Sequence, residues 1–297
     1  MAKTREIKGR MKAVGNIERI TKTMQMIATA RFNAAQRRAT ASQPYTRKIA
    51  QLVGELAGAG DSEALDHPLL KKPDPAAGKQ LVLVLTSDRG LCGGYNANIL
   101  RRANKLLEAI EEDEEEARLE VVGKKGRAFF QFQETPIDQY HSQFGDKPAY
   151  EDVEQLAERL IDEFTEGAYD AVHVVYMAFE SMGRQTPEAL RLLPLDRPES
   201  DEEEADAGGE AVVDYEYMPD PAQLLAELLP ITVKTQLFQC FNEAVVSEQI
   251  ARMVAMKAAT DAAGKMKKSL NREFNRARQA AITTELTEIV GGAAALE

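Results

Sequence analysis

Apolar side chains return every three or four positions along the first part of the chain, at Ile7, Met11, Val14, Ile17, Ile20, Met24 and Ile27. Lys8, Arg10, Lys12, Arg19 and Lys22 lie on the opposite side. No proline occurs before Pro44, and no glycine between Gly15 and Gly54. The spacing predicts one long amphipathic helix over 3–56. Its steps do not make a strict heptad, so the apolar stripe is expected to drift around the helix. The last part of the chain, 222–290, has the same character. Val233, Leu237, Phe241 and Ala244, then Met266, Leu270, Phe274, Ala277 and Ala281, recur at helical spacing. Between them IARMVAMKAATDAAG supplies small residues that let another helix approach closely. Pro230 predicts a kink or a fresh helix start, and Gly291-Gly292 a stop.

The middle follows another rhythm. Leu81 to Leu85 is an unbroken apolar run, the pattern of a buried strand. A helix is predicted over 96–112, a short strand over 119–122, a helix over 151–164 and a strand over 171–179. Weaker strand patterns lie at 189–195 and 212–217. Strands alternating with helices predict a parallel or mixed sheet covered by helices, so the fold class is α/β with a Rossmann-like body. The expected organisation is an N-terminal coiled-coil helix (1–58), a Gly/Pro/Asp-rich connector (59–79), an α/β body (80–217) and a C-terminal coiled-coil helix (222–290). The acidic stretch at 198–211 and EEDEEE at 111–116 read as solvated segments.

Length constrains how these parts fit. Sixty helical residues span roughly 90 Å, whereas a compact globule of this size is about 50 Å across. The terminal helices are therefore expected to project and to wind on each other as an antiparallel coiled coil.

Charge sharpens the picture. The net −11 divides into +9 over 1–58, −21 over 59–223 and +1 over 224–297. A cationic head joined to an acidic middle suits a protein partner with acidic loops better than a polyanion. Only Phe32 and Tyr45 offer aromatic faces near the basic stretch, which weakens a nucleic-acid reading. Two cysteines, Cys92 and Cys240, make no disulfide framework. His67, His141 and His173 have no metal-ligand spacing. No apolar run is long enough to span a membrane, and the start lacks the apolar core of a signal peptide.

One loop has the setting of a binding site. TSDRGLCGGYNANI follows a buried strand and opens a helix, the topology in which backbone N–H groups cradle phosphate. Its glycines, Gly90, Gly93 and Gly94, match neither the dinucleotide fingerprint nor the P-loop. A tight structural turn with a partner contact through Arg89 is the competing reading. Cys92 is either a reactive thiol or a small residue filling the turn. His173, between Val172 and Val174 in a strand, has no nucleophile or orienting carboxylate beside it in sequence, so no catalytic triad can be assembled.

Three motifs coincide in order and spacing: EIKGRMKAVGNIERITKTMQMIATARF, TSDRGLCGGYNANI, and the long run from SEQIARMVAMKAATDAAG to TTELTEIVGGA. Together they resemble the gamma subunits of F-type ATP synthases, of the bacterial type. The resemblance implies a central rotor stalk with no catalytic chemistry, no cofactor and no metal of its own. It implies terminal helices coiled inside a ring of three alpha and three beta subunits, and an α/β body against the epsilon subunit and the c-subunit ring. It further implies a peripheral place on the cytoplasmic face of the plasma membrane. Proton flow would turn the rotor, whose asymmetry biases each beta subunit in turn.

The same resemblance carries residues. Arg10, Arg31 and Arg89 match basic positions facing an acidic loop of the beta subunits, and Met24 an apolar position near it. Arg252, Arg278, Gln279, Thr283 and Glu285 match C-terminal contacts with the alpha/beta ring, and 284–295 the tip in its apolar bearing. Gly9 stands where relatives often carry a second basic residue. The middle holds no cysteine pair of the redox-controlled chloroplast type, and a motif beginning at residue 4 favours a bacterial origin.

Overall fold

The computed structural model describes residues 2–59, 67–70, 78–113, 115–195 and 221–294. Helix α1 (Ala2–Ala59) and helix α5 (Pro221–Ala294) bracket an α/β segment. That segment runs β1 (Lys79–Leu85), α2 (Tyr95–Glu112), β2 (Glu116–Val122), α3 (Lys124–Phe132), β3 (Gln139–His141), α4 (Tyr150–Thr165), β4 (Ala171–Ser181) and β5 (Arg184–Leu193). Two compact units result: Arg31–Ile250, and the paired ends Met1–Ala30 and Ala251–Glu297.

In the unit Arg31–Ile250 the sheet order is β3-β2-β1-β4-β5. The first four strands run parallel and β5 returns antiparallel on β4. Alternation along β1 divides its side chains between two faces. Leu81, Leu83 and Leu85 enter a core with Val153, Leu156 and Leu160 of α4 and Leu225, Leu229, Val233 and Leu237 of α5. Val82 and Val84 point to the other face, where α2 packs. Lys234 of α5 donates to Glu154 (3.0 Å) and Glu158 (2.6 Å) of α4, tying the two covering helices together. Phe32, Ala35 and Ala39 of α1 bury against Val246 and Ile250 of α5.

The face under α4 carries a charge. Glu120 pairs in register with Leu83 and therefore points into the core. His141 donates from Nε2 to Glu120 Oε2 at 2.7 Å, and Arg159 of α4 donates to the same oxygen at 2.6 Å. Burial pushes the Glu120 carboxyl up, but the hydrogen bonds from His141 and Arg159 and the charge of Arg159 outweigh it and hold the group below its ordinary value.

The paired ends form their own unit. Thr260 Oγ1 donates to Thr21 Oγ1 at 2.7 Å, and Lys267 Nζ to Glu18 Oε2 at 2.9 Å. Nearer the chain start, Thr4, Arg5 and Lys8 share a groove with Phe274, Arg278 and Ala281. Numbers fall on one helix as they rise on the other, so the pair is antiparallel.

Several expectations change. Within the unit of paired ends, buried positions of α1 recur every seven residues, at Ile7, Val14, Thr21 and Ala28. Met256 and Ala263 of α5 are buried and Leu270 and Ala277 half-buried with the same repeat. The seam is therefore a heptad that does not drift, the spacing of a coiled coil. Ile17, Ile20, Ile27 and Met266 are half exposed or more, because a single partner helix covers only part of a wide apolar stripe. Pro230 does not begin a fresh helix: α5 runs through it. Its missing hydrogen bond costs roughly 3 kcal/mol, and burial of Leu225, Leu229 and Val233 on the sheet offsets that cost. The helix also passes Gly291-Gly292 to Ala294 rather than stopping there. Glycine characteristically ends a helix by turning left-handed, and Gly291 does not. Helix α3 and strand β3 were not legible in sequence, and β5 begins at Arg184, earlier than the 189–195 pattern. The strand expected at 212–217 and the acidic stretch at 198–211 lie outside the described residues.

Arg159→Leu leaves the buried Glu120 carboxylate with His141 as its remaining donor and is expected to cost about 3 kcal/mol in urea unfolding, whereas Arg159→Lys costs less. His173 donates to Gln80 Oε1 at 2.8 Å, and burial, then Arg191 and Arg102, depress it to about 4 from an ordinary 6.5. Between those values the unfolded chain binds the extra proton. Stability therefore falls as pH drops through that window, by up to roughly 3 kcal/mol. Melts from pH 7 to pH 4 should show a shallower loss for His173→Gln.

Candidate functional site

The loop from Thr86 to Gly94 leaves the carboxyl end of β1 and enters α2. Thr86 Oγ1 donates to Val122 O (2.7 Å) and accepts from Gly126 N (2.9 Å), holding the loop base to the start of α3. A side chain at Gly123 would meet Thr86 O at 2.2 Å, and Gly123 has φ +90°, so only glycine fits that approach. Ser87 N donates to Asn96 Oδ1 at 3.0 Å, Ser87 Oγ to Arg89 O at 2.8 Å, and Asn96 Nδ2 to Ser87 Oγ at 2.8 Å. Asn96 Nδ2 also reaches Cys92 Sγ at 3.2 Å. Cys92 is buried, which favours the turn-filling reading over a reactive thiol. The loop thus spends its polar groups on its own chain.

The crevice beyond the carboxyl ends of β1 and β4 is where such sheets take nucleotides. Here α5 fills it. Tyr95 donates its hydroxyl to Ala244 O at 3.1 Å, and the Phe144 and Phe241 rings meet at 4.6 Å. The remaining cavity, lined by Thr86, Ser87, Phe144 and Phe241, holds about 40 Å³. Small-molecule sites are on the order of ten times larger.

Two of the expected contact arginines meet at one carboxylate. Arg31 Nη1 of α1 donates to Asp146 Oδ2, and Arg89 Nη1 lies 3.6 Å from the same oxygen. Arg31, Arg89 and Asp146 keep 41, 65 and 31% of their side-chain surface. The cluster therefore faces solvent, and its sum is one positive charge. Asp146 carries no local signal for this role, because its partners are 115 and 57 positions away in sequence.

The comparisons follow from this architecture. The family model described as ATP synthase matches residues 3–296. The ATP synthase gamma chain of Rhodopirellula baltica is 42% identical over 298 residues, covering all of both chains. That of Nocardia farcinica is 40% identical, over 100% of this chain and 98% of its own. This chain belongs to the ATP synthase gamma-chain family. The fold agrees with solved structures. A chain of the Euglena gracilis mitochondrial ATP synthase, in its OSCP/F1/c-ring structure, aligns with TM-score 0.67 at 20% identity over 99% of this chain and 95% of its own. A rotor chain of the same enzyme aligns at 0.63 and 19%, over 95 and 99%.

In this gamma-family chain the other expected contacts fall in the unit of paired ends. Arg10 is exposed and donates to Glu6 at 2.6 Å, one turn away. Met24 is half-buried. Arg278 and Glu285 line the groove with Thr4, Arg5 and Lys8. Gln279 and Thr283 are exposed, with Thr283 Oγ1 returned to Gln279 O at 3.0 Å. Arg252, in contrast, is buried within the chain. The structure therefore joins Arg31 with Arg89 and Arg278 with Glu285, and keeps these two pairs in separate units.

Exposure and burial predict opposite sensitivities around the loop. Asp146→Asn should cost the full chain less than about 1 kcal/mol, and the loss should vanish in high salt. Ser87→Ala leaves Arg89 O and Asn96 Nδ2 each short of a partner and should cost about 1–2 kcal/mol at any salt. Denaturant titrations at two ionic strengths read both.

Proposed function

We propose that the chain works as the central rotor stalk of a proton-translocating F-type ATP synthase and performs no bond chemistry itself. The observation that carries this reading is the end-to-end match to chains named ATP synthase gamma chain at about 40% identity. Paired terminal helices and a closed nucleotide crevice support it. Its partners on this reading are a ring of three alpha and three beta subunits, the epsilon subunit and the c-subunit ring. Helix segments 1–58 and 222–290 act as the shaft, 59–79 as a connector and 80–217 as the α/β body.

Rotation driven at the c ring turns a shaft whose sides differ. Each beta subunit meets a different set of side chains at each angle, and only such differential contact shifts its conformational equilibrium. Arg10, Met24, Arg31, Arg89, Arg278, Gln279, Thr283 and Glu285 are the contacts we assign to the ring. Exposed, screened pairs make and break readily, which suits moving contact. Arg252 joins the set on sequence resemblance alone, since its side chain is buried here.

We place the chain at the cytoplasmic face of a bacterial plasma membrane, held there through the complex. Its bacterial relatives support that placement. Among the described residues no helix is long and apolar enough to cross a membrane.

Co-expression with the alpha and beta subunits should yield one assembly containing three of each and a single copy of this chain. A chain that stays free beside an assembled ring overturns the reading. Arg10→Glu, Arg31→Glu and Arg89→Glu together should uncouple ATP hydrolysis from proton pumping while shifting the melting temperature by only a few degrees. Intact coupling with a collapsed melting temperature would show these arginines to be structural.

A further inference from the structure

Leu91 stands out against the loop around it. Its φ is 65°, the left-handed region that side chains other than Gly, Asn and Asp seldom enter. The residues flanking it in the loop are hydrogen-bonded. Arg89 O is held by Ser87 Oγ on one side, and the buried Cys92 Sγ by Asn96 Nδ2 on the other. The side chain gains little within the chain in return, because 59% of Leu91 remains exposed. A glycine or asparagine would make the same turn with less strain and would leave no apolar group in water.

The surroundings indicate what such a leucine faces. Arg89, two positions earlier, is exposed and shares Asp146 with Arg31. Lys124 and Lys125, at the start of α3, are exposed as well. The Lys125 stem passes 3.7 Å from where a Cβ on Gly90 would stand, so its ammonium lies beside the loop. Against these four cations stand Asp88, which accepts from Lys124 N at 3.1 Å, and Asp146. The patch is therefore an apolar knob within a net positive rim, the arrangement of a protein–protein anchor whose partner is apolar at the centre and acidic at the edge.

We propose that Leu91 is an anchor that the β1–α2 loop presents, at a cost in backbone strain, for insertion into an apolar pocket bordered by carboxylates on the alpha/beta ring. The proposal rests on the reading of Arg89 as a ring contact and adds to it the residue that supplies buried area. The charges steer and orient; the leucine slows release.

The test uses the full chain assembled with its alpha and beta subunits, reading the dissociation rate of the chain from the ring and the melting temperature of the chain alone. Leu91→Gly and Leu91→Asn keep the turn and remove the knob. Both should raise the dissociation rate about tenfold while the melting temperature stays level or rises. Leu91→Met keeps an apolar side chain and should stay within about twofold of the natural chain. Wild-type dissociation in both the Gly and Asn variants overturns the proposal, and so does a fall in melting temperature that accompanies faster release. Arg89→Ala separates the two levels. Faster release in Arg89→Ala with unchanged Leu91 variants rejects the anchor alone. Unchanged release in both rejects the loop as a ring contact.

Discussion

Two α-helices stay in contact over many turns only if the same side of each returns to the partner every seven residues. In this chain that constraint decides which side chains are inside. Ile7, Val14, Thr21 and Ala28 satisfy it on α1, and Met256 and Ala263 on α5. Small side chains at Ala28 and Ala263 allow close approach. The hydroxyl pair Thr21–Thr260 sits at the seam, where a polar contact between two particular positions distinguishes one register from another. Arg10 and the half-exposed isoleucines lie off the seam.

Within the unit Arg31–Ile250 a nucleotide-type sheet has lost the opening that gives such sheets their chemistry. The parallel strands, the glycine-bearing loop after β1 and the helix that follows are all present. Helix α5 nevertheless lays Phe241 and Ala244 over the carboxyl end of β1, and the loop closes its hydrogen bonds on Ser87 and Asn96. The loop's outward features are then Arg89 and Leu91. A crevice of the kind that elsewhere grips phosphate is filled here by side chains of the same chain.

Charge is handled differently inside and outside. Glu120 lies in the core and is held by two donors, so its pairing is a matter of stability. Arg31 and Arg89 share Asp146 at the surface, where water and salt keep the pairs weak and exchangeable. A rotating contact needs the second kind. The net charge of −11 hides a basic first segment and an acidic middle, which give the two parts of the chain fields of opposite sign.

Local pattern determined a great deal here. Long helices at both ends follow from the 3–4 spacing of Ile7 to Ile27 and Val233 to Ala244, and the central strand from the run Leu81–Leu85, because periodicity reports burial of one face directly. The three motifs sufficed to place the family. Short or partly polar elements were illegible: α3 has nine residues with scattered apolar positions, and β3 has three. Pro230 and Gly291 read as breaks because sequence shows their local cost but not the burial or helical backbone that overrides it. Tertiary structure alone decided which part of the wide apolar stripe on α1 became the seam, since the partner helix makes that choice. It alone brought Asp146 to Arg31 and Arg89, and His141 and Arg159 to Glu120. Such contacts join residues far apart along the chain, and their energies exist only once the sheet and its covering helices have set the distances.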